Sequence, residues 1–192
     1  IKEKITLKEK IINKFLETSK LQVKLSHERF LHSKEYYKNL VWDLTFDDLR
    51  KIKIKLEIIN SKDQEKMDIW NFYRRTVSSF QINNSSKLVG RQIYILVKDE
   101  YSNKYLGIIS LSSDVYSITA RDIFIDWDSE TKKEKLNYIL NLTTCVPLQP
   151  FGYKFNGGKL LAELVFSKEI FKEFKKRYNI DLIAITTFGL YG

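Results

Sequence analysis

Between Leu142 and Phe188 the chain runs strand, glycine-bearing loop, apolar helix and strand again, an order that restricts its fold more than any other feature. The apolar runs Leu142–Leu148 and Asp181–Phe188 flank the helical stretch Lys159–Phe166 and a second one, opened by Ser167, that ends near Tyr178. A β-loop-α-β unit of this kind lays two parallel strands side by side with the helix across one face. Upstream, Arg91–Val97 is rich in β-branched and aromatic residues, Glu100–Lys104 reads as a turn and Tyr105–Leu111 as a second strand, which together make a hairpin. Asp122–Trp127 (DIFIDW) alternates and predicts another strand, with Ile123 and Ile125 on one side and Asp122, Phe124 and Asp126 on the other. Lys132–Leu142 predicts a short helix. The expected class is α/β (α+β), built on a mixed sheet.

The first part of the chain has a different character. Ile5, Ile12, Leu16 and Val23 recur at four- and seven-residue steps, the period of an amphipathic helix over residues 1–40. After a break near Asn39, Thr45 is a suitable N-cap, with Asp47 and Asp48 in the first turn of a helix whose buried stripe is Leu49, Ile52, Leu56 and Ile59. Ser61 and Gln64 form a capping box for a third helix, with Ile69, Tyr73, Val77 and Phe80 on its apolar side. The polar stretch Asn83-Asn84-Ser85-Ser86 is the best boundary. The expectation is a basic helical region over 1–82 and an α/β domain over 88–192. Because an apparent strand runs straight into Tyr191-Gly192, the natural protein is expected to continue beyond that point.

Charge follows the same division. Of the net +9, residues 1–87 carry 19 Lys/Arg against 12 Asp/Glu, and residues 88–192 carry 14 against 12. A basic face raises the local concentration of polyanions. Lysines alternating with glutamates also make an ordinary solvated surface, and both readings stand at this point.

Several classes have no support. The single cysteine, Cys145, cannot form an internal disulfide and points to a reducing, cytoplasmic setting. It sits in an apolar run, where a small buried hydrophobe is its ordinary role. His27 and His32 have no second ligand at zinc spacing. No apolar run approaches the ~20 residues of a membrane span, and IKEKITLKEK lacks the apolar core of a signal peptide.

The loop QPFGYKFNGGKLLAELV is the segment best suited to chemistry. It leaves an apolar strand, carries Gln149, Gly152, Gly157 and Gly158, and enters a helix headed by Lys159. Glycines let backbone amides approach a ligand, and a helix N-terminus favours phosphate or pyrophosphate. It is neither a Walker loop, since Leu160 follows Lys159, nor a dinucleotide fingerprint. A strand-to-helix turn that simply needed glycine explains it equally well. Asp122 and Asp126, four apart on the expected strand, share one of its faces and form a candidate metal-binding or general-base pair. Two solvent-facing aspartates on an edge strand is the favoured reading, and Arg121 beside Asp122 is equally a structural ion pair. Tyr191 is either a late acid or a packing residue. Arg74 and Arg75 lie next to Trp70 and Tyr73, a combination suited to phosphate contact and base stacking, although aromatic rings at helical spacing also build cores.

The element order, with Gln149-Pro150-Phe151-Gly152 in the loop, resembles the GNAT acetyltransferase fold. There the loop after the fourth strand, Gln/Arg-x-x-Gly-x-Gly/Ala, binds the pyrophosphate of acetyl-CoA. Lys154 stands where the second glycine belongs, and Gly157-Gly158 comes three residues late. A resemblance over roughly residues 75–192 rests on longer strings. GIISLSSD (107–114), ARDIFIDW (120–127), KLNYILNLT (135–143), VPLQPFGYKFNGGKLLA (146–162) and KRYNIDLIAITTFGLYG (176–192) resemble the DruA-type family, named for the Druantia anti-phage system and with relatives in phages and mobile elements. Asp126 replaces that family's usual small residue before Trp127. In architecture the chain is also similar to phage Mom-like proteins, GNAT-fold enzymes that modify DNA adenine.

The resemblances imply a nucleic-acid-associated protein of phage defence, counter-defence or DNA modification, with DNA the favoured partner and no membrane role. If catalytic, it is expected to transfer a group. Gln149–Lys159 would then hold a phosphate-bearing cofactor of unknown identity or the nucleic-acid backbone, Asp122 or Asp126 would serve as base, and Arg74, Arg75 and Arg121 would contact nucleic acid. Two alternatives are a non-catalytic DNA- or RNA-binding module and a structural subunit that docks protein partners through its N-terminal helices.

Overall fold

Five strands lie side by side in chain order: β1 (Ile54–Ile58), β2 (Gln92–Asp99), β3 (Lys104–Ser113), β4 (Ile139–Pro147) and β5 (Ala184–Thr187). The structure is a computed structural model that describes residues 36, 37, 39–43, 46–60, 62–77 and 90–188. The chain divides at Asn39/Leu40 into two compact units, and the sheet belongs to the second. The helix expected over 1–40 falls almost wholly outside the described residues, as do Thr45, Ser61, Phe80, the stretch 83–86 and Tyr191.

Neighbouring strands from β1 to β4 are antiparallel, and β5 runs parallel to β4 in the register Ile139↔Ala184 to Leu142↔Thr187. The fold is therefore a mixed α+β arrangement, as expected. The hairpin β2–β3 is held at its turn by Asp99. Its carboxylate accepts from the amides of Lys53 (2.9 Å), Tyr101 (3.1 Å) and Ser102 (3.1 Å) and from the Ser102 hydroxyl (2.7 Å). Burial pushes this carboxyl up, but the hydrogen bonds outweigh it and hold the group below its ordinary range.

Among the described residues six α-helices flank the sheet: α1 (Gln64–Val77), α2 (Thr119–Phe124), α3 (Ser129–Lys135), α4 (Phe151–Lys154), α5 (Gly157–Leu164) and α6 (Lys168–Tyr178). Ile93, Ile95 and Val97 of β2 pack in one core with Leu161 of α5, Val165 just after it, and Ile170 and Phe174 of α6. Alternation turns Tyr94 to the opposite face, where its ring lies 4.9 Å from that of Trp70 on α1. The central strands are thus covered on both sides, which explains the unbroken burial of β3 from Tyr105 to Leu111. Gly107 on β3 is a close approach: a Cβ there would overlap the side chain of Leu161. Before β1, Val41 bridges Tyr105, and Trp42 is fully buried against Phe151 and Phe155 at ring distances of 5.7 and 5.8 Å.

Two expected elements are different structures. Leu49, Ile52, Leu56 and Ile59 do not line one helix, because Phe46–Lys51 is a 3-10 turn and Leu56 lies in β1. The governing period in Ile52-Lys53-Ile54-Lys55-Leu56-Glu57-Ile58 is two, as an edge strand needs. DIFIDW is not a strand either. Its first half ends α2, and Asp126 turns the chain in the left-handed region at φ 53°. Six alternating residues are also one and a half helical turns, and the anchoring of Arg121 and Asp122 decided between the two. The capping role expected of Ser61 at α1 is played by Asp63, whose carboxylate accepts from the Lys66 amide (3.1 Å).

Candidate functional site

Arg121 and Asp122 stand in the middle of a buried ionic knot beyond the end of β3. Arg121 Nη1 donates to Asp114 Oδ2 (2.8 Å) and to the Val115 carbonyl (2.9 Å). Its Nη2 donates to the Tyr116 carbonyl (3.1 Å) and to Asp122 Oδ1 (2.6 Å), and its Nε also reaches Asp122 Oδ1 (2.9 Å). Lys132 from α3 donates to the other Asp122 oxygen at 2.9 Å. Trp127 lies under the guanidinium and Tyr116 under the Lys132 ammonium, at 5.6 and 5.5 Å from the ring centres. Asn141 on β4 ties Asp114 to Thr186 on β5 at 3.5 and 3.0 Å.

The hydrogen bond and charge of Lys132, together with those of Arg121, hold the Asp122 carboxyl below its ordinary range despite its burial. Burial works against the Arg121 cation, but Asp122 and Asp114 outweigh it and keep that cation favoured. Both Asp122 oxygens are occupied by cations, an arrangement that suits anchoring better than proton transfer. Asp126 points elsewhere. It is exposed, on a turn rather than a strand, so the two carboxylates do not share a strand face. The knot holds α2 with Ile123 and Phe124 turned outward, 75% and 89% exposed.

The glycine loop is filled rather than hollow. The single turn α4 carries Phe151 into the core, and Gly157 packs on that ring: a Cβ at Gly157 would lie 2.6 Å from Phe151 Cε1. Gly152 is confined in the same way by Gln149 Nε2 (2.8 Å) and Pro147 Cγ (3.0 Å). Gly158 differs, since a Cβ there would meet only Pro147 Cγ at 4.0 Å. With exposed Lys159, it gives the start of α5 an accessible face. Beside this helix β4 bulges at Thr143, which is skipped in the pairing Ser110↔Thr144 and Leu111↔Leu142. The Thr143 and Ser110 hydroxyls lie 2.9 Å apart. Pairing of β4 with β5 stops at Leu142, so among the described residues no strand borders Thr143–Pro147 on that side.

Arg74 is half-buried, and loss of hydration pushes its pKa down; Nη1 has no hydrogen-bond partner among the described residues. Arg75 is exposed. The rings beside them are committed to the core: Trp70 donates to the Ile109 carbonyl at 3.1 Å, and Tyr73 packs at 6.0 Å from Tyr105. Arg74, Arg121 and Gly158 lie on separate parts of the unit, and the knot brings together only Arg121 and Asp122 of the residues singled out. Its other members, Asp114, Lys132 and Asn141, carry no signal in the sequence, since each looks like an ordinary polar residue at its position. Cys145 is half-buried, and burial pushes its thiol up to about 11.

A second feature went unread in the sequence. Between 151 and 178 the chain carries seven Lys/Arg against three Glu. The small positive balance of residues 88–192 is therefore concentrated in the helical layer α4–α6. No group of His, Cys, Asp and Glu that could hold a metal ion occurs among the described residues. None of their helices is long and apolar enough to cross a membrane.

Comparison with known proteins places the chain in a family. No solved structure matches the chain. The chain is 28% identical over 189 residues to the Druantia protein DruA of Escherichia coli (strain UMEA 4076-1), an alignment that covers 85% of this chain and 46% of that protein. It thus spans about half the length of the curated relative it matches. The family model for Druantia protein DruA matches residues 5–189, and the chain belongs to the DruA family.

Proposed function

We propose that this chain is a nucleic-acid-associated part of a phage-defence protein, with DNA its favoured partner and the layer α4–α6 facing the polyanion. Membership of the DruA family supports the defence setting. The nucleic-acid role rests on one observation: the seven Lys/Arg against three Glu in the helices that cover one face of the sheet. Such a face attracts phosphate backbones without reading sequence, and binding releases condensed counterions. The test is titration of the purified chain with duplex DNA across salt concentration, beside Lys159→Ala and an Arg74→Ala/Arg75→Ala pair. Binding should weaken steeply with salt, and Lys159→Ala should flatten that dependence more than the Arg74/Arg75 pair does. Absence of binding at low salt would overturn the reading.

A group-transfer activity on DNA is the second reading, favoured by the bulge at Thr143 and the unpaired half of β4 beside the accessible start of α5. Four antiparallel strands followed by a helix and a parallel fifth is the order of a GNAT fold and of the Mom-like proteins built on it. Gly158 and Lys159 would then face the phosphates of a carrier cofactor, while Arg121 and Asp122 brace the connection between β3 and β4. Binding of acetyl-CoA, abolished in Lys159→Glu, would favour this reading over a purely binding role. Protein partners in a defence assembly are part of the same proposal, through the N-terminal region or the outward Ile123 and Phe124.

A further inference from the structure

The turn from α5 into α6 breaks two local rules at once. Phe166, a large aromatic residue, is 63% exposed, and Lys168 places a cation in the first turn of an eleven-residue helix. The partial positive charge at a helix start disfavours a cation there, so Lys168 raises the energy of the free protein unless an anion approaches. Lys172 follows one turn later on the same side of α6. Phe166, Lys168, Phe171 and Lys172 together line an open hollow of about 320 Å³, at the small end of ligand-binding pockets.

Two of the nearby carboxylates are already paired with other cations, and neither Lys168 nor Lys172 shares them. Glu173 is taken by Arg177 at 2.7 Å and faces Lys176 at 3.9 Å, while Asp181 is taken by Lys175 at 2.8 Å. None of the ion pairs among the described residues uses Lys168 or Lys172. Glu169, the remaining carboxylate of the first turn, stands roughly a quarter-turn from Lys168 and three residues before Lys172, but makes no ion pair with either. The hollow therefore combines an apolar, aromatic floor with two cations free to meet phosphate, the chemistry of a stacking platform for unpaired bases. A duplex keeps its bases stacked on one another and cannot use that floor.

We infer that this hollow is a subsite for single-stranded nucleic acid, in which one base stacks on Phe166 and the flanking phosphates lie against Lys168 and Lys172. The inference rests on the nucleic-acid reading above and deepens it by naming the strand form and the residues. Lys168 and Lys172 supply charge only, so they track the backbone, whereas Phe166 is selective for a base that has left its stack.

The experiment is fluorescence anisotropy with labelled oligothymidylate, oligouridylate and duplex DNA of equal length, using the full 192-residue chain. The variants are Phe166→Ala, a Lys168→Ala/Lys172→Ala pair, and Lys159→Ala as a basic control outside the hollow. Phe166 is mostly exposed, so its loss leaves the core intact, and thermal melting confirms folding of every variant. Phe166→Ala should weaken single-strand binding by about tenfold, the scale of one lost stacked base, and leave duplex affinity and salt slope unchanged. The lysine pair should lower the single-strand salt slope by about 1.4. Preference for oligothymidylate over oligouridylate would identify DNA as the source of the strand, and the reverse RNA. Wild-type single-strand affinity in a folded Phe166→Ala variant would overturn the subsite and leave the general nucleic-acid role standing. If the wild-type chain bound none of the three probes at low salt, both would fall, and a peptide partner for the hollow would be the next probe.

Discussion

Lys132 Nζ lies 2.9 Å from Asp122 Oδ2, so that a helix ten residues downstream closes the ring of charge begun by Arg121 and Asp114. The knot spans the whole connection between β3 and β4 and fastens it to both. Removing Arg121 leaves Asp114, whose side chain is fully buried, without a cation, its carboxylate meeting only the amides of Val115 (2.8 Å) and Asn141 (3.5 Å). Arg121→Met should therefore cost about 3 kcal/mol, the scale for one partner lost from a buried pair. The thermal midpoint should fall by roughly 10 °C. A midpoint within a degree of wild type would show that the knot contributes nothing to folding.

The same carboxylates set an acid limit. Asp99 and Asp122 both have folded-state pKa values held below their ordinary range. The unfolded chain consequently binds more protons as pH falls, and their stabilisation, fully present above the ordinary carboxylate pKa of about 4, is lost below it. Urea midpoints should be flat between about pH 7 and 5 and drop below about pH 4. Asp99→Asn should make that drop shallower. A wild-type midpoint unchanged down to about pH 3 would contradict the assignment.

The two adjacent glycines of the loop should respond oppositely to alanine. Gly157→Ala drives a methyl into the Phe151 ring, which is 2% exposed and belongs to the core, and should cost about 1–3 kcal/mol. Gly158→Ala enters open space in a helix and should be neutral or stabilise by up to about 1 kcal/mol. Denaturation of the two variants measures both. Equal losses would mean that Gly158 too is held by packing.

Cys145 should be an inert thiol. With its pKa pushed up to about 11 by burial, almost none is thiolate at neutral pH, and only the thiolate attacks. Iodoacetamide should label the folded chain far more slowly than the urea-unfolded chain, as followed by mass spectrometry. Comparable rates would point to an open thiol and reopen a nucleophilic role.

Much of the α/β order was legible from periodicity because the elements satisfy local rules. The hairpin turn at 100–103, the apolar run of β4 and the stripe of α6 each carry their own signal. So did the helix at 64–77, although its cap proved to be Asp63. β1 was misread because an alternation of period two also supplies hits at four-residue spacing, with Leu49 and Ile59 at its ends adding the steps of three, and sheet pairing with β2 chose the period of two.

The sites show where local reading ends. Arg121-Asp122 is visible as a dipeptide, but whether it makes a base, a metal ligand or an anchor depends on groups 7 to 20 residues away that share no pattern with it. Lys132, Asp114 and Asn141 acquire their roles only when β3, α3 and β4 converge, and the desolvated cations then occupy both oxygens of Asp122. The glycine loop is similar. Composition shows that backbone must come close to something, and packing shows that at Gly152 and Gly157 the something is the protein itself. Local free-energy preferences along the backbone are written residue by residue, so element order could be read directly. Burial and charge compensation are properties of surfaces assembled from distant segments, and only the tertiary structure decides them.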